Sequence, residues 1–66
     1  MHVTINGEGK EVPDGLSVHA LLAHLGILAE RVAIEYNLQV LPRENWGATR
    51  IQSNDRFEIV HFVGGG

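Results

Sequence analysis

The sequence contains no cysteine. This absence excludes disulfide bridges, thiolate metal ligands and a nucleophilic cysteine on this chain. A domain of 66 residues must therefore be held together by its own hydrophobic core, and an apolar fraction of 44% is enough to build one. A chain without cysteine also suits the cytoplasm, which is the location we expect.

Basic residues are also few: five Lys and Arg stand against eight Asp and Glu, for a net charge of -3. Modules that bind nucleic acid normally carry clustered basic residues, so we expect no nucleic-acid partner. No apolar run approaches the about 20 residues of a membrane-spanning helix. The first residues, "MHVTING", lack a basic segment followed by an apolar one, so we expect neither a membrane span nor a signal peptide.

Alternating apolar and polar residues predict strands in "HVTI", "RVAIEY" and "RFEIVHFV". Asn6-Gly7 is a strong hairpin signal, which makes "KEV" the short return strand. "LQVL" is a shorter apolar run after a tight turn at Asn37-Leu38, where leucine is a poor residue if φ must be positive. The sequence therefore predicts two hairpins and one further strand near its end.

The stretch "SVHALLAHLG" is the one clear helix, with Ser17 as N-cap and Gly26 as the left-handed residue that ends it. One helix among five strands predicts an α+β fold, in which the helix covers a small mixed sheet. The expected core comprises Val3, Ile5, Val12, Val18, Leu21, Leu22, Leu25, Val32, Ile34, Val40, Ile51, Phe57 and Ile59.

Four histidines raise the possibility of a metal site, but their spacing does not favour one. His19 and His24 are five positions apart, whereas ligands on one helical face are three or four apart. His2 and His61 could meet only if their two strands paired. Ser17 is better explained as a helix cap than as a nucleophile. We expect no metal site, no catalytic residues and no enzymatic activity.

Three apolar side chains allow two interpretations each. Trp46 either closes the rim of the core or serves as a binding hot spot, and the first interpretation is favoured. Val60 and Phe62 point away from the core side of the last strand. They are either covered by other side chains or form a docking patch just before the end of the chain.

The chain ends in three glycines, Gly64 to Gly66. Glycine has no Cβ, so such a segment can thread a channel too narrow for any side chain. Its terminal carboxylate becomes an acyl donor once a partner activates it with ATP. The alternative is a terminal segment without function.

The whole chain resembles the ubiquitin-like β-grasp sulfur carriers, and among them the ThiS family of thiamine biosynthesis. The resemblance rests on the hairpin "VTINGE", the helix "GLSVHALLAHLG", the Pro-Arg-x-x-Trp segment in "VLPRENW" and the ending "NDRFEIVHFVGGG". Asn54 and Leu38 depart from the family, where glycine is common at both positions. Both departures affect turn geometry rather than chemistry.

The resemblance implies a β-grasp domain over residues 1–63, with four or five strands on one main helix and the first and last strands parallel in the centre of the sheet. Residues 64–66 would be a flexible Gly-Gly tail. An E1-like enzyme would use ATP and Mg²⁺ to adenylate the Gly66 carboxylate, and a sulfur donor protein would convert it to a thiocarboxylate for thiazole synthase. Gly65 and Gly64 would form a narrow segment that lets Gly66 extend into a partner's active site.

The same resemblance implies that the protein is a co-substrate, monomeric when free, with no stably bound cofactor. The residues expected to contact partners are Val60, Phe62, Val63 and Gly64. Three alternatives remain open: another β-grasp carrier, such as the small subunit of molybdopterin synthase; a protein modifier; and a binding module with an incidental tail.

Overall fold

The computed structural model describes residues 1–62, so the expectations for Val63 and the glycine tail lie outside the described residues. Five strands, one α-helix and two short 3-10 turns, Ala29–Arg31 and Arg43–Asn45, follow one another along this part of the chain. In chain order the main elements are β1 (His2–Ile5), β2 (Glu8–Glu11), α1 (Val18–His24), β3 (Val32–Tyr36), β4 (Gln39–Val40) and β5 (Arg56–His61). No helix within these residues is both long and apolar enough to cross a membrane.

The five strands form one mixed sheet in the order β2-β1-β5-β3-β4. β5 occupies the centre, where it runs parallel to β1 and antiparallel to β3. The two outer strands are each joined to their neighbour by a hairpin. The expected parallel pairing of the first and last strands is therefore confirmed.

The helix begins and ends where the sequence predicts. The Ser17 hydroxyl accepts a hydrogen bond from the Ala20 N–H at 3.0 Å, which satisfies one free donor of the first turn. Gly26 has a φ of +74°, the left-handed conformation that stops the helix after its cap residue Leu25. The buried residues of the helix face are Val18, Leu21 and Leu22.

The core largely matches the prediction, with three differences at Val40, Leu25 and Trp46. The prediction that Val40 lies in the core is wrong. Its side chain is 75% exposed, because the two-residue strand β4 turns it away from the helix. Leu25 is half-buried at the edge of the core and packs against it. The buried hydrophobic side chains are Val3, Ile5, Val12, Val18, Leu21, Leu22, Val32, Ile34, Trp46, Ile51, Phe57 and Ile59.

Trp46 lies deeper than the rim position that the sequence favours, since only 2% of it is exposed. Its indole N–H donates to the Leu41 carbonyl at 2.9 Å, so the one polar atom of the ring is satisfied inside the core. The Arg43 guanidinium lies 4.6 Å from the centre of the ring. Trp46 is thus a central core residue, and the hot-spot interpretation is excluded by its burial.

Both hairpins use a tight turn with two consecutive positive φ angles. Asn6 and Gly7 have φ values of +50° and +83°, and Asn37 and Leu38 have +50° and +74°. Asparagine and glycine accept this conformation readily, whereas a leucine in it is strained by the approach of its Cβ to the backbone. Leu38 is also 77% exposed, so packing does not compensate this strain in the free domain.

Replacing Leu38 with glycine is expected to stabilise the domain by about 1 kcal/mol, because glycine adopts the required φ without strain. In a domain of this size the gain corresponds to a melting temperature higher by roughly 4–8 °C. Thermal unfolding followed by circular dichroism measures it. Leu38→Ala is the matched control, since alanine removes the exposed side chain and keeps the strain. An unchanged melting temperature in the glycine variant would contradict the argument.

Candidate functional site

The C-terminal half of β5 is held on both edges as far as Ile59, and on its β3 edge up to the last described residue, Phe62. β1 ends at Ile5, but the Asn6 side chain continues its place beside β5: its Oδ1 accepts from the Ile59 N–H at 2.7 Å and its Nδ2 donates to the Ile59 carbonyl at 3.2 Å. On the other edge, the Phe62 N–H donates to the Arg31 carbonyl at 2.9 Å. The strand is therefore fixed in position as it approaches the glycine tail.

A buried carboxylate fixes the start of the same strand. Asp55 is 7% exposed and accepts from the Tyr36 hydroxyl at 2.7 Å, the Gln52 N–H at 2.7 Å and the Asn37 Nδ2 at 3.2 Å. The Asn37 Oδ1 in turn accepts from the Arg56 N–H at 2.9 Å. This network ties the β3–β4 turn to the first residue of β5.

The network makes the stability of the fold depend on the protonation of Tyr36. Burial, reinforced by the hydrogen bond to Asp55 and by the negative charge of that residue, raises the pKa of the Tyr36 phenol from 10.0 to about 12. The phenol is protonated in both the folded and unfolded chain below pH 10, so its contribution is complete there. Above pH 10 the unfolded chain ionises first, and stability is lost as the pH rises towards about 12.

We therefore expect the free energy of unfolding to fall more steeply with pH in the wild type than in Tyr36→Phe, between about pH 10 and pH 12. Urea unfolding at a series of pH values measures both slopes. The phenylalanine variant keeps the ring that packs against Phe57, whose centroid lies 5.3 Å away, and it removes only the ionising hydroxyl. Equal slopes in the two proteins would show that Tyr36 does not control alkaline stability.

Val60 and Phe62, two of the predicted docking residues, are exposed on the side of the sheet opposite the helix. Val60 is 58% exposed and Phe62 is 56% exposed, so the alternative in which other side chains cover them is excluded for the described part of the chain. Val60 lies opposite Ala33 in the register between β5 and β3. Val40, on the edge strand, is 75% exposed and lies opposite Glu35. We call the face formed by Ala33, Glu35, Val40, Glu58 and Val60 the outer face.

The Pro-Arg-x-x-Trp segment, which we call the clasp, binds the turn that holds the end of β5. The Arg43 guanidinium donates to the Ala29 and Val32 carbonyls while it stacks on the buried Trp46. These two carbonyls flank Arg31, whose own carbonyl receives the Phe62 N–H. The segment therefore fixes the turn on which the end of β5 rests, which gives this sequence motif a structural role.

The histidines do not converge. Thr4 pairs with Arg56 in the parallel register of β1 and β5, so His61 lies five residues beyond that point, at the opposite end of the sheet from His2. His2 instead lies 3.9 Å from Glu11 across the β1–β2 hairpin. Among residues 1–62 no three histidine or carboxylate side chains are grouped closely enough to hold a metal ion.

A groove beside the end of β5 was not apparent from the sequence. It measures about 280 Å³ and is lined by Gly26, Ile27, Leu28, Arg31 and His61. Leu28 is 59% exposed in the loop after the helix. The antiparallel pairing of β3 with β5, which places Val32 opposite His61, brings the helix–β3 loop to the end of β5. Spacing along the chain does not reveal that register.

The chain is similar in sequence and in fold to proteins that are already known. The chain is 38% identical over its whole length to a thiazole synthase of Paramagnetospirillum magneticum, and it spans 20% of that protein. It is 29% identical to the sulfur carrier protein ThiS of Escherichia coli over the full length of both chains. The crystal structure of the thiamine biosynthesis protein ThiS from Geobacter metallireducens matches it with a TM-score of 0.85 and 39% identity, covering both chains completely.

The β-grasp fold is thus shared with a solved relative across the entire domain. A family model, that of the ThiS family, matches residues 3–66 and so includes the terminal glycines as well as the sheet and helix. The matched range includes both the clasp at Arg43 and Trp46 and the strand that leads to the tail. The chain belongs to the ThiS family.

Proposed function

We propose that this protein is a sulfur carrier in the synthesis of the thiazole ring of thiamine, and that the carboxylate of Gly66 carries the sulfur. One observation carries the proposal: the central strand, held on both edges as far as Ile59 and on its β3 edge as far as Phe62, leads towards a glycine-rich end that the ThiS family model includes. The protein is a co-substrate in this scheme, since the reacting group is its own main-chain carboxylate.

The chemistry proceeds in two steps on that carboxylate. A Gly66 oxygen attacks the α-phosphorus of ATP in an E1-like enzyme that binds Mg²⁺, and pyrophosphate leaves, which gives an acyl-adenylate. A hydrosulfide equivalent delivered by a sulfur donor protein then attacks the acyl carbon. AMP leaves with the original oxygen, so that one sulfur replaces one oxygen and a proton is released.

Thiazole synthase then takes the sulfur from the thiocarboxylate. The relative from Paramagnetospirillum magneticum supports this partner, because a protein named thiazole synthase contains a region similar to this whole chain. The narrow glycine tail, Gly64 to Gly66, suits entry into a confined active site. The exposed residues Val60 and Phe62, together with Val63, are proposed to contact the partner at the entrance. We propose a cytoplasmic monomer that meets each enzyme in turn.

The test is the intact mass of the chain after incubation with ATP, Mg²⁺ and the adenylating enzyme of the same organism, with and without sulfide. We expect an adenylate adduct without sulfide. With sulfide we expect a mass gain equal to sulfur replacing one oxygen, located at Gly66 by fragmentation. No mass change with an enzyme that is active on another carrier would refute the proposal.

A further inference from the structure

Two carboxylates face each other on the outer face. Glu35 of β3 and Glu58 of β5 are direct partners in the antiparallel register, and both are exposed. Side chains at directly opposed positions have Cβ atoms about 4.5–5.5 Å apart. Like charges at such positions repel each other, so this pair destabilises the free domain slightly.

No ion pair within the described residues joins Glu35 or Glu58 to a basic side chain. The ion pairs of residues 1–62 join the N-terminal amine to Asp14, His2 to Glu11 and Lys10 to Glu8, all of them towards the other side of the sheet or in its N-terminal hairpin. Arg56 is two residues before Glu58 on the same strand, yet it forms no ion pair with it. Within residues 1–62, neither carboxylate therefore has a partner of opposite charge at ion-pair distance.

Apolar side chains lie on both sides of the carboxylates. Val40 is opposite Glu35 on the edge strand, and Val60 follows Glu58 by two residues on the same face. They are 75% and 58% exposed. An acidic centre between two exposed valines complements a protein surface that presents a basic side chain among apolar ones.

We propose that thiazole synthase binds this outer face and places an arginine or lysine between Glu35 and Glu58. The inference rests on the proposed function and deepens it. Val60 precedes the last described residue by only two positions, and the four residues after Phe62 span at most about 14 Å when extended. A protein bound on the outer face therefore has the reacting carboxylate within its reach. An arginine could also pair with both carboxylates at once.

The test measures the dissociation constant for thiazole synthase by titration calorimetry, with the full chain carrying Glu35→Gln, Glu58→Gln or both. We expect the double variant to bind at least about tenfold more weakly, with a shallower dependence on salt. Its melting temperature should be equal or higher, because the repulsion is gone. This combination separates lost recognition from lost folding. Glu44→Gln is the matched control, an exposed carboxylate in a turn away from the outer face.

Each other outcome has a separate meaning. Wild-type affinity in the double variant would overturn the inference and leave the proposed function intact. Weaker binding to the adenylating enzyme, with unchanged binding to thiazole synthase, would show that the outer face binds the adenylating enzyme instead. A wild-type chain that neither binds thiazole synthase nor becomes adenylated would refute the proposed function itself.

Discussion

Deletion of Gly65 and Gly66 is expected to abolish formation of the acyl-adenylate and leave the domain folded. The shortened chain still ends in a glycine carboxylate, so the chemical group is unchanged. That carboxylate is withdrawn by about 7 Å, which is far more than the sub-ångström to ångström precision that a reacting group requires. The loss should be complete in an intact-mass assay.

Two further measurements make this result specific. The melting curve of the shortened chain should coincide with that of the wild type, because the described contacts of the domain end with the bond from the Phe62 N–H to the Arg31 carbonyl. A variant with alanines in place of Gly65 and Gly66 keeps the length and adds two Cβ atoms. We expect it to be adenylated much more slowly. Adenylation of the shortened chain at the wild-type rate would contradict a role for the tail.

Replacing Trp46 with alanine is expected to remove a large part of the stability of the domain. Removing a buried tryptophan costs about 3–5 kcal/mol. A domain of this size has a total stability of roughly 3–10 kcal/mol, at about 0.05–0.15 kcal/mol per residue. The substitution also removes the support on which the Arg43 guanidinium stacks. The loss of Arg43's bonds to Ala29 and Val32 would then loosen the turn that holds the end of β5.

Trp46→Phe separates the volume of the ring from its hydrogen bond. Phenylalanine fills much of the space but leaves the Leu41 carbonyl without the indole donor, at a cost of about 1–3 kcal/mol. Urea unfolding has to be followed by circular dichroism, because Trp46 is the only tryptophan and its fluorescence is lost in both variants. If the alanine variant unfolded at the wild-type urea midpoint, Trp46 would not be central to the core.

The alternation of apolar residues sufficed to predict the long strands, and Ser17 with Gly26 sufficed to bound the helix. Val40 shows where this reasoning fails, because a two-residue strand has no measurable period and its face is set by the hairpin turn before it. Trp46 stands alone in an irregular segment, so its burial follows from the Leu41 carbonyl and the Arg43 guanidinium, which only the folded chain brings to it.

The candidate site also has features that the sequence predicts and features that only the structure reveals. Strand alternation predicts that Val60 and Phe62 point away from the core but leaves open whether other side chains cover them, and the structure shows both exposed. Their contact with a partner stays a prediction, as do the roles of Gly65 and Gly66. The opposition of Glu35 and Glu58 depends on the register of β3 against β5. No local pattern encodes that register, because the two residues are separated by most of the second half of the chain.

The clamp between Asn6 and Ile59 has a consequence for the order of events during synthesis. It joins residues 53 positions apart, and the strand it holds is the centre of the sheet as well as the last of its five strands in chain order. The N-terminal hairpin and the helix have no sheet centre to pack on until then, so the domain cannot complete its fold early. We expect a chain interrupted before Ile59 to stay unfolded and open to proteolysis.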